Sequence, residues 1–397
     1  MAEERTRSRL PRKEIKAFVR FLLLAAILPA AFLVAMLFTA GWKIATIGPP
    51  SNLSMSQQNN PKIVLAPPGG TPQYAAYKLA RIKDLQPEII YVGQSRCSQV
   101  RSAMFRPYSF YNACLTAWTL DQVREFIEHA VTISKPSMVI FELDYFMFTK
   151  EYKATWTARA KMDFEPDTFV NGINATLTLA EEHPLNLLAS LGVFPNQVTE
   201  PHTGFELSLP DAIRSRAGFR YDGSFLYPFK YRANGAKQLE DAARQFIASV
   251  HGGSGLDPGQ VEALSRLAAT ASKAGVKLVG IQLPIYAPVV AYLDTDPAYH
   301  PYAGVWRAFQ SDETRQMLAR LGITFFDMVR LPENGEARNF VDPSHPSEIG
   351  ALHGLLAMSS DPRFKSTFPL IDPERLRSEY EDATKSGRIF DVYADRF

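Results

Sequence analysis

The sequence has little cysteine and almost no net charge. Its 397 residues include two cysteines, Cys97 and Cys114, too few for a disulfide scaffold and without the spacing of a zinc site. No cluster of His, Cys, Asp and Glu has metal-ligand spacing, and neither a Walker-type nor a dinucleotide glycine loop is present, so the pattern calls for no metal and no cofactor. No internal repeat points to assembly. The formal net charge of +2 is unevenly placed: the first twenty residues take seven of the 43 cations and three of the 41 anions, which leaves the rest at −2. The basic excess is a membrane-flank feature and not a nucleic-acid footprint, so no nucleic-acid partner is expected.

What the chain does have is apolar material, 46% hydrophobic and 12% aromatic, enough for a sizeable core and incompatible with disorder throughout. Residues Phe21 to Ala40 form a nearly unbroken apolar stretch, interrupted by Pro29 and Thr39. About 20 residues at 1.5 Å each span a hydrocarbon core. Arg5, Arg7, Arg9, Arg12, Lys13, Lys16 and Arg20 precede it against Glu3, Glu4 and Glu14, and Lys43 alone follows closely. The positive-inside rule puts the N-terminus in the cytoplasm and everything after Trp42 outside. A cleaved secretory signal is the alternative, but its apolar region runs about 7–15 residues. We expect an uncleaved single-pass anchor.

The chain divides into a basic segment over 1–20, an anchor over 21–42, a linker over 43–72, an α/β domain over 73–360 with an insert at about 149–237, and a tail over 361–397. The linker is rich in Pro, Gly, Asn, Gln and Ser, a composition that buries little apolar surface, so a tether or a segment draped over the domain is expected. Sequons at Asn52 and Asn174 are short enough to arise by chance. Helical patterns at 73–85, 120–133, 260–273 and 305–321 alternate with apolar runs at 88–93, 110–112, 138–143, 277–283 and 323–326. Runs apolar on both faces suit a parallel sheet covered by helices on both sides, here five strands in an α/β/α arrangement. A helix over 348–358 is expected to close the core, with Pro346 in its first turn. In the insert the alternation is lost, yet Trp156, Phe164, Phe169, Tyr221, Phe225, Tyr227, Phe229 and Tyr231 are too aromatic for a floppy loop, so a cap beside the site is expected. Tyr221-Asp222-Gly223-Ser224 reads as a turn, and Gly252-Gly253-Ser254-Gly255 as a flexible linker.

The candidate chemistry lies at strand ends. Ser95 follows the run Ile89-Ile90-Tyr91-Val92 across Gly93-Gln94, and Asp342 precedes His345 by three residues in a polar loop. A serine at a sharp strand-to-helix turn and an Asp able to orient a nearby imidazole are the parts of a hydrolytic triad. An N-capping serine and a surface-loop histidine are the plain alternatives. Cys97 and Cys114 each lie two residues beyond a candidate, Ser95 and Asn112, and are expected close in space. A disulfide and a pair of buried thiols both stay open.

Gly93-Gln94-Ser95-Arg96 after a strand, the Asn112 block, and Asp342-x-x-His345 before a final helix resemble the SGNH (GDSL-like) hydrolase superfamily. The chain is similar in particular to its membrane-anchored periplasmic branch, the polysaccharide O-acetylation and D-alanyl transfer proteins. The resemblance covers roughly 88–358 without the insert. It implies a three-layer, flavodoxin-like domain on the inner membrane with Ser95 as nucleophile, His345 as base, Asp342 as its partner and the Ser95 N–H in an oxyanion hole. It also implies an envelope glycan or other acylated substrate, and a membrane-bound acyltransferase as a partner.

Two blocks depart from that pattern. The glycine of the second appears as Asn112-Ala113, and the Gly-x-Asn-Asp of the third as Glu142-Leu143-Asp144-Tyr145, with a carboxylate where an amide donor is expected. An ionised Asp144 would repel a developing oxyanion, and a lost donor costs about 2.7–4 kcal/mol. Either Asn112 supplies the amide, or Arg96 neutralises Asp144, or the chemistry is weak or absent. Two functions are therefore carried forward: an acyl esterase or O-acyltransferase on an envelope polysaccharide, and a catalytically inactive glycan-binding or assembly subunit of a membrane acyltransferase complex.

Overall fold

The structure, a computed structural model, describes residues 12–47, 49–67, 71–165, 197–200, 203–228, 236–249 and 252–393. Five strands form one all-parallel sheet: β1 (Ile89–Gly93), β2 (Phe110–Cys114), β3 (Met138–Glu142), β4 (Lys277–Gln282) and β5 (Thr324–Asp327). Their spatial order is β2-β1-β3-β4-β5. The register sets Gly93 beside Cys114 and Phe141 beside Val92, so the carboxyl ends line one edge. The chain runs from β1 to β2 on one side and then crosses back to β3 on the other side of β1, so the strand order reverses at β1 and β3, where open sheets of this kind place their crevice.

Every residue of β1, β2 and β3 is buried. Ile90, Val92, Val139 and Phe141 face the helices Thr71–Leu85, Leu120–Ile133 and Pro258–Lys273, packing with Leu79, Phe126 and Leu267. Ile89, Tyr91 and Ile140 face Glu348–Met358 and Pro373–Lys385, packing with Leu352, Leu355 and Leu376. Each such aliphatic or aromatic side chain contributes about 1.5–3 kcal/mol on burial. Local chemistry starts the helices: Thr119 and Gln122 form a reciprocal capping box, and Asp257 caps 258–273 with Pro258 following.

Among the described residues one helix, Arg12–Ile47, is long and apolar enough to cross a membrane, with Phe21, Leu28 and Phe32 exposed along it. Arg5, Arg7 and Arg9 lie outside the described residues.

Several expectations are corrected. The stretch read as a linker is folded: Pro50–Asn59 is a helix and Ile63–Leu65 a strand. Gln57, part of its polar composition, is fully buried and donates to the Ile63 and Phe219 carbonyls at 3.0 and 2.9 Å. Ile63–Leu65 is the central strand of a second, mixed sheet whose other strands, Gln197–Thr199, Glu206–Ser208, Gly218–Phe219 and Phe225–Leu226, all come from the insert. Phe169, Asn174, Phe229 and Tyr231 lie outside the described residues. β2 runs to Cys114 and does not stop at Asn112, whose side chain is hydrogen-bonded within the core. Only a short 3-10 turn, Arg96–Gln99, follows Ser95. The helix expected over 305–321 is two helices, because Ser311 accepts from the Thr314 N–H and starts a new one. Pro346 precedes the cap Ser347 instead of entering the first turn. Gly253 is docked, its carbonyl accepting from the Val305 N–H at 2.7 Å.

Candidate active site

Gly93 ends β1 where a Cβ would lie 2.8 Å from both Cys97 Sγ and Glu142 Cβ, closer than real side chains approach, so glycine alone lets the strand turn there. Ser95 follows, half-buried. Its Oγ lies 2.6 Å from His345 Nε2, and His345 Nδ1 lies 2.7 Å from Asp342 Oδ2. The three residues, 250 and 3 positions apart in sequence, thus form one continuous relay.

The loop carrying Asp342 and His345 is held on both sides. The Val341 N–H donates to the His345 carbonyl at 2.8 Å, and Phe340 bridges Pro346. Asp342 Oδ1 accepts from the Ser344 N–H and hydroxyl and from the His345 N–H at 2.9–3.0 Å. Burial works against the charge on Asp342, but the His345 ring and these donors outweigh it and hold the carboxyl well below the usual range. His345 thus has a fixed anionic neighbour on Nδ1, which leaves Nε2 for Ser95.

Arg96, Asp144 and Glu142 form a buried group behind the turn that carries Ser95. Arg96 is 3% exposed and donates to the Ser344 carbonyl at 2.7 Å and to the Leu283 and Pro284 carbonyls at 3.0 Å. Its remaining arm is hydrogen-bonded to Asp144. Glu142 Oε2 accepts from the Gln94 N–H at 3.0 Å, while Glu142 Oε1 and Asp144 Oδ1 have no donor among the described residues. Burial, then the charge of Asp144, pushes the Glu142 carboxyl well above the usual range. Burial pushes the Asp144 carboxyl up as well, but Arg96 against it pulls it back, so of the two acids Glu142, whose Oε1 lies farther from Arg96 Nη1 at 3.7 Å, is the one favoured to hold a proton. Asp144 is therefore not a bare negative charge.

Asn112 is not part of the reacting surface. Its Nδ2 donates to the Cys97 and Val100 carbonyls at 2.9 and 2.8 Å, and its Oδ1 accepts from the Cys114 N–H. The amide is fully committed to holding the turn after Ser95 against β2. Cys97 and Cys114 are joined in a disulfide with Cα atoms 5.8 Å apart, a second clamp on the same turn. Asp222 likewise is structural: Arg101 Nε donates to it at 2.8 Å, and the positive-φ Gly223 beside it lies so close to β2 that a Cβ would overlap the Asn112 carbonyl. His353 pairs with Glu333 at 3.1 Å.

A cavity of about 550 Å³ opens beside Ser95 and His345. Trp118, Phe146, Tyr152 and Trp156 wall it, with the two indoles stacked 5.6 Å apart at 14°. The Tyr152 hydroxyl donates to Gln94 Oε1 at 2.6 Å, and Gln94 Nε2 is buried with no acceptor among the described residues. Tyr227, from the insert, sets its ring 6.4 Å from that of His345, and its hydroxyl accepts from Ser98 Oγ at 3.3 Å. Trp156 and Tyr227 were visible as insert aromatics; Gln94, Glu142 and Trp118 carry no local pattern that marks them. No protein-family model and no curated protein matches the chain.

Proposed function

We propose that the chain is a membrane-anchored, extracytoplasmic acyl esterase or O-acyltransferase that acts on a cell-envelope polysaccharide, built on a three-layer, flavodoxin-like domain of the SGNH type. The observation that carries this is the Ser95–His345–Asp342 relay, at hydrogen-bonding distance throughout. The strand order β2-β1-β3-β4-β5 agrees with the flavodoxin-like order and puts Ser95 at its switch point. The apolar helix and its basic N-terminal flank support anchoring with the bulk outside.

In the step proposed, Ser95 Oγ bonds to the ester carbonyl carbon as its proton passes to His345 Nε2, and Asp342 stabilises the imidazolium. The Ser95 N–H, which has no acceptor among the described residues, faces the oxyanion. The carbonyl re-forms, the C–O bond to the alcohol breaks, and His345 returns the proton to the departing oxygen. Water or a sugar hydroxyl then attacks the acyl-serine by the same route, which yields a free acid or a new ester. Arg96, the residue after the nucleophile, ties that turn to the loop of the base and offsets the charge of Asp144.

The full chain, embedded in lipid nanodiscs, is expected to release nitrophenol from nitrophenyl esters, and Ser95→Ala to abolish this while keeping the same unfolding midpoint. Equal rates in the two proteins would remove Ser95 as nucleophile. A single observation favours the second function, a non-catalytic glycan-binding or assembly subunit: the Asn112 amide is turned away from the site, which leaves fewer donors for an oxyanion. Glycan binding by a parent protein that cleaves no ester would select it.

A further inference from the structure

We infer that the cavity beside Ser95 is a seat for an acyl chain several carbons longer than acetyl; this rests on the acyl-transfer function proposed above. A methyl group is close in size to a water molecule, whose share of volume is roughly 30 Å³. An acetyl group would leave most of the 550 Å³ unfilled. The deep wall is Trp118, Phe146 and Tyr152, which are 6%, 4% and 7% exposed. Trp156 lies nearly parallel to Trp118 and extends that face outward.

Polarity decides which half of an ester goes in. The one hydroxyl on the deep wall, that of Tyr152, is already bonded to Gln94 at 2.6 Å. A sugar ring pushed against these walls would lose water from its hydroxyls and regain few hydrogen bonds, whereas an alkyl chain has nothing to leave unpaired. Of the two cations on the lining, Arg96 is buried with its guanidinium committed to Asp144 and to the Ser344, Leu283 and Pro284 carbonyls, and Arg159 is exposed and belongs to the mouth. The acyl chain therefore points inward from Ser95 and the alcohol outward.

The test uses the full chain in nanodiscs, so that no detergent chain competes for the cavity. kcat/KM is measured for nitrophenyl acetate, butyrate, hexanoate and octanoate, with the Ser95→Ala rate subtracted. The expected result is a rise of roughly fourfold per methylene from acetate to hexanoate. Thr155→Trp, which fills the cavity from the helix Lys150–Arg159, should bring the hexanoate-to-acetate ratio near one. Acetate preferred over hexanoate, or an unchanged ratio in Thr155→Trp, overturns the seat. If no ester is cleaved through Ser95, the acyl-transfer function fails, and binding alone then decides the seat. 6-Bromohexanamide should quench indole fluorescence saturably in the parent and in Ser95→Ala and not in Thr155→Trp; no saturable quenching overturns it.

Discussion

Arg96 Nε donates to the Ser344 carbonyl at 2.7 Å, so the residue after Ser95 holds the residue before His345. The same guanidinium reaches the carbonyls of Leu283 and Pro284, beyond β4, and the carboxylate of Asp144, beyond β3. One side chain thus joins three strand ends and the loop that carries His345. Asp144→Asn would remove the nearer anion of this buried cation and leave only Glu142, 3.7 Å away, at a cost of up to about 3–5 kcal/mol. Glu142 is the acid that burial and Asp144 push upward, so Glu142→Gln, which keeps an uncharged group of the same shape there, should cost about 1 kcal/mol or less. Urea unfolding of the two variants distinguishes them, and equal losses would show that the proton does not sit on Glu142.

Asp342 holds His345 Nδ1 at 2.7 Å, which fixes the tautomer that offers Nε2 to Ser95. Asp342→Asn should lower kcat on nitrophenyl esters by about 10⁴ with little change in KM, as in other triads. A loss below tenfold would mean that the histidine is oriented by something else.

The disulfide closes a loop with a sequence separation of 17 and clamps the turn after Ser95 to β2. Replacing both cysteines by serine should remove about 3 kcal/mol of stability. Denaturant unfolding with and without reductant measures this; the reduced parent should match the double variant, and a difference below about 1 kcal/mol would assign the clamp to Asn112 alone.

Acid should destabilise the fold through Asp342 and Asp222. Burial alone would raise both carboxyls, but His345 beside Asp342 and Arg101 beside Asp222 hold them well below the usual range. The unfolded chain therefore takes up protons first, near the ordinary carboxylate value of about 3.9, and the stability these groups provide above it is lost as pH falls through and below it. Urea midpoints at about pH 5, 4 and 3 should decline in that order. Asp222→Asn should lower the midpoint at the highest pH and flatten the decline; a parallel, undiminished decline would exclude Asp222 as a source.

Gln94 precedes Ser95 and carries a buried amide nitrogen with no acceptor among the described residues, while Tyr152 fixes its oxygen. If that nitrogen joins the Ser95 N–H at the oxyanion, Gln94→Ala should lower kcat by about 10²–10³ and leave KM nearly constant. Tyr152→Phe keeps the amide and should lower kcat far less. Equal effects would make Gln94 a packing residue.

The parallel sheet was legible because its strands are continuous apolar runs separated by helical periods, and Ser95, Asp342 and His345 were legible because strand ends and short spacings announce them. The second sheet was not. Its strands are two or three residues long, too short for any periodicity to register, and its central member sits in a stretch whose glutamines and asparagines imitate a linker. Gln57 makes the error plain: the side chain that argues for solvent exposure is the one that ties two segments together inside the fold. The Glu142–Gln94 and Arg96–Ser344 contacts join positions 48 and 248 apart, and no local pattern encodes them. Asn112 shows the reverse fault, a polar residue at a strand end that serves the scaffold and not the chemistry.

The early helix Pro50–Asn59 has a consequence for reach. Leu53 is buried, and Ser54 is hydrogen-bonded to Asp84 on the helix Thr71–Leu85, so this segment belongs to the folded body. Between Ile47, where the long apolar helix ends, and Pro50 only Gly48 and Pro49 intervene, enough extended chain for about 7 Å. Once that helix is in a bilayer, the folded body has no leash. It stands on a short stalk at the membrane surface, and under the proposed function a polymer substrate would have to be threaded past that surface instead of being sought at a distance.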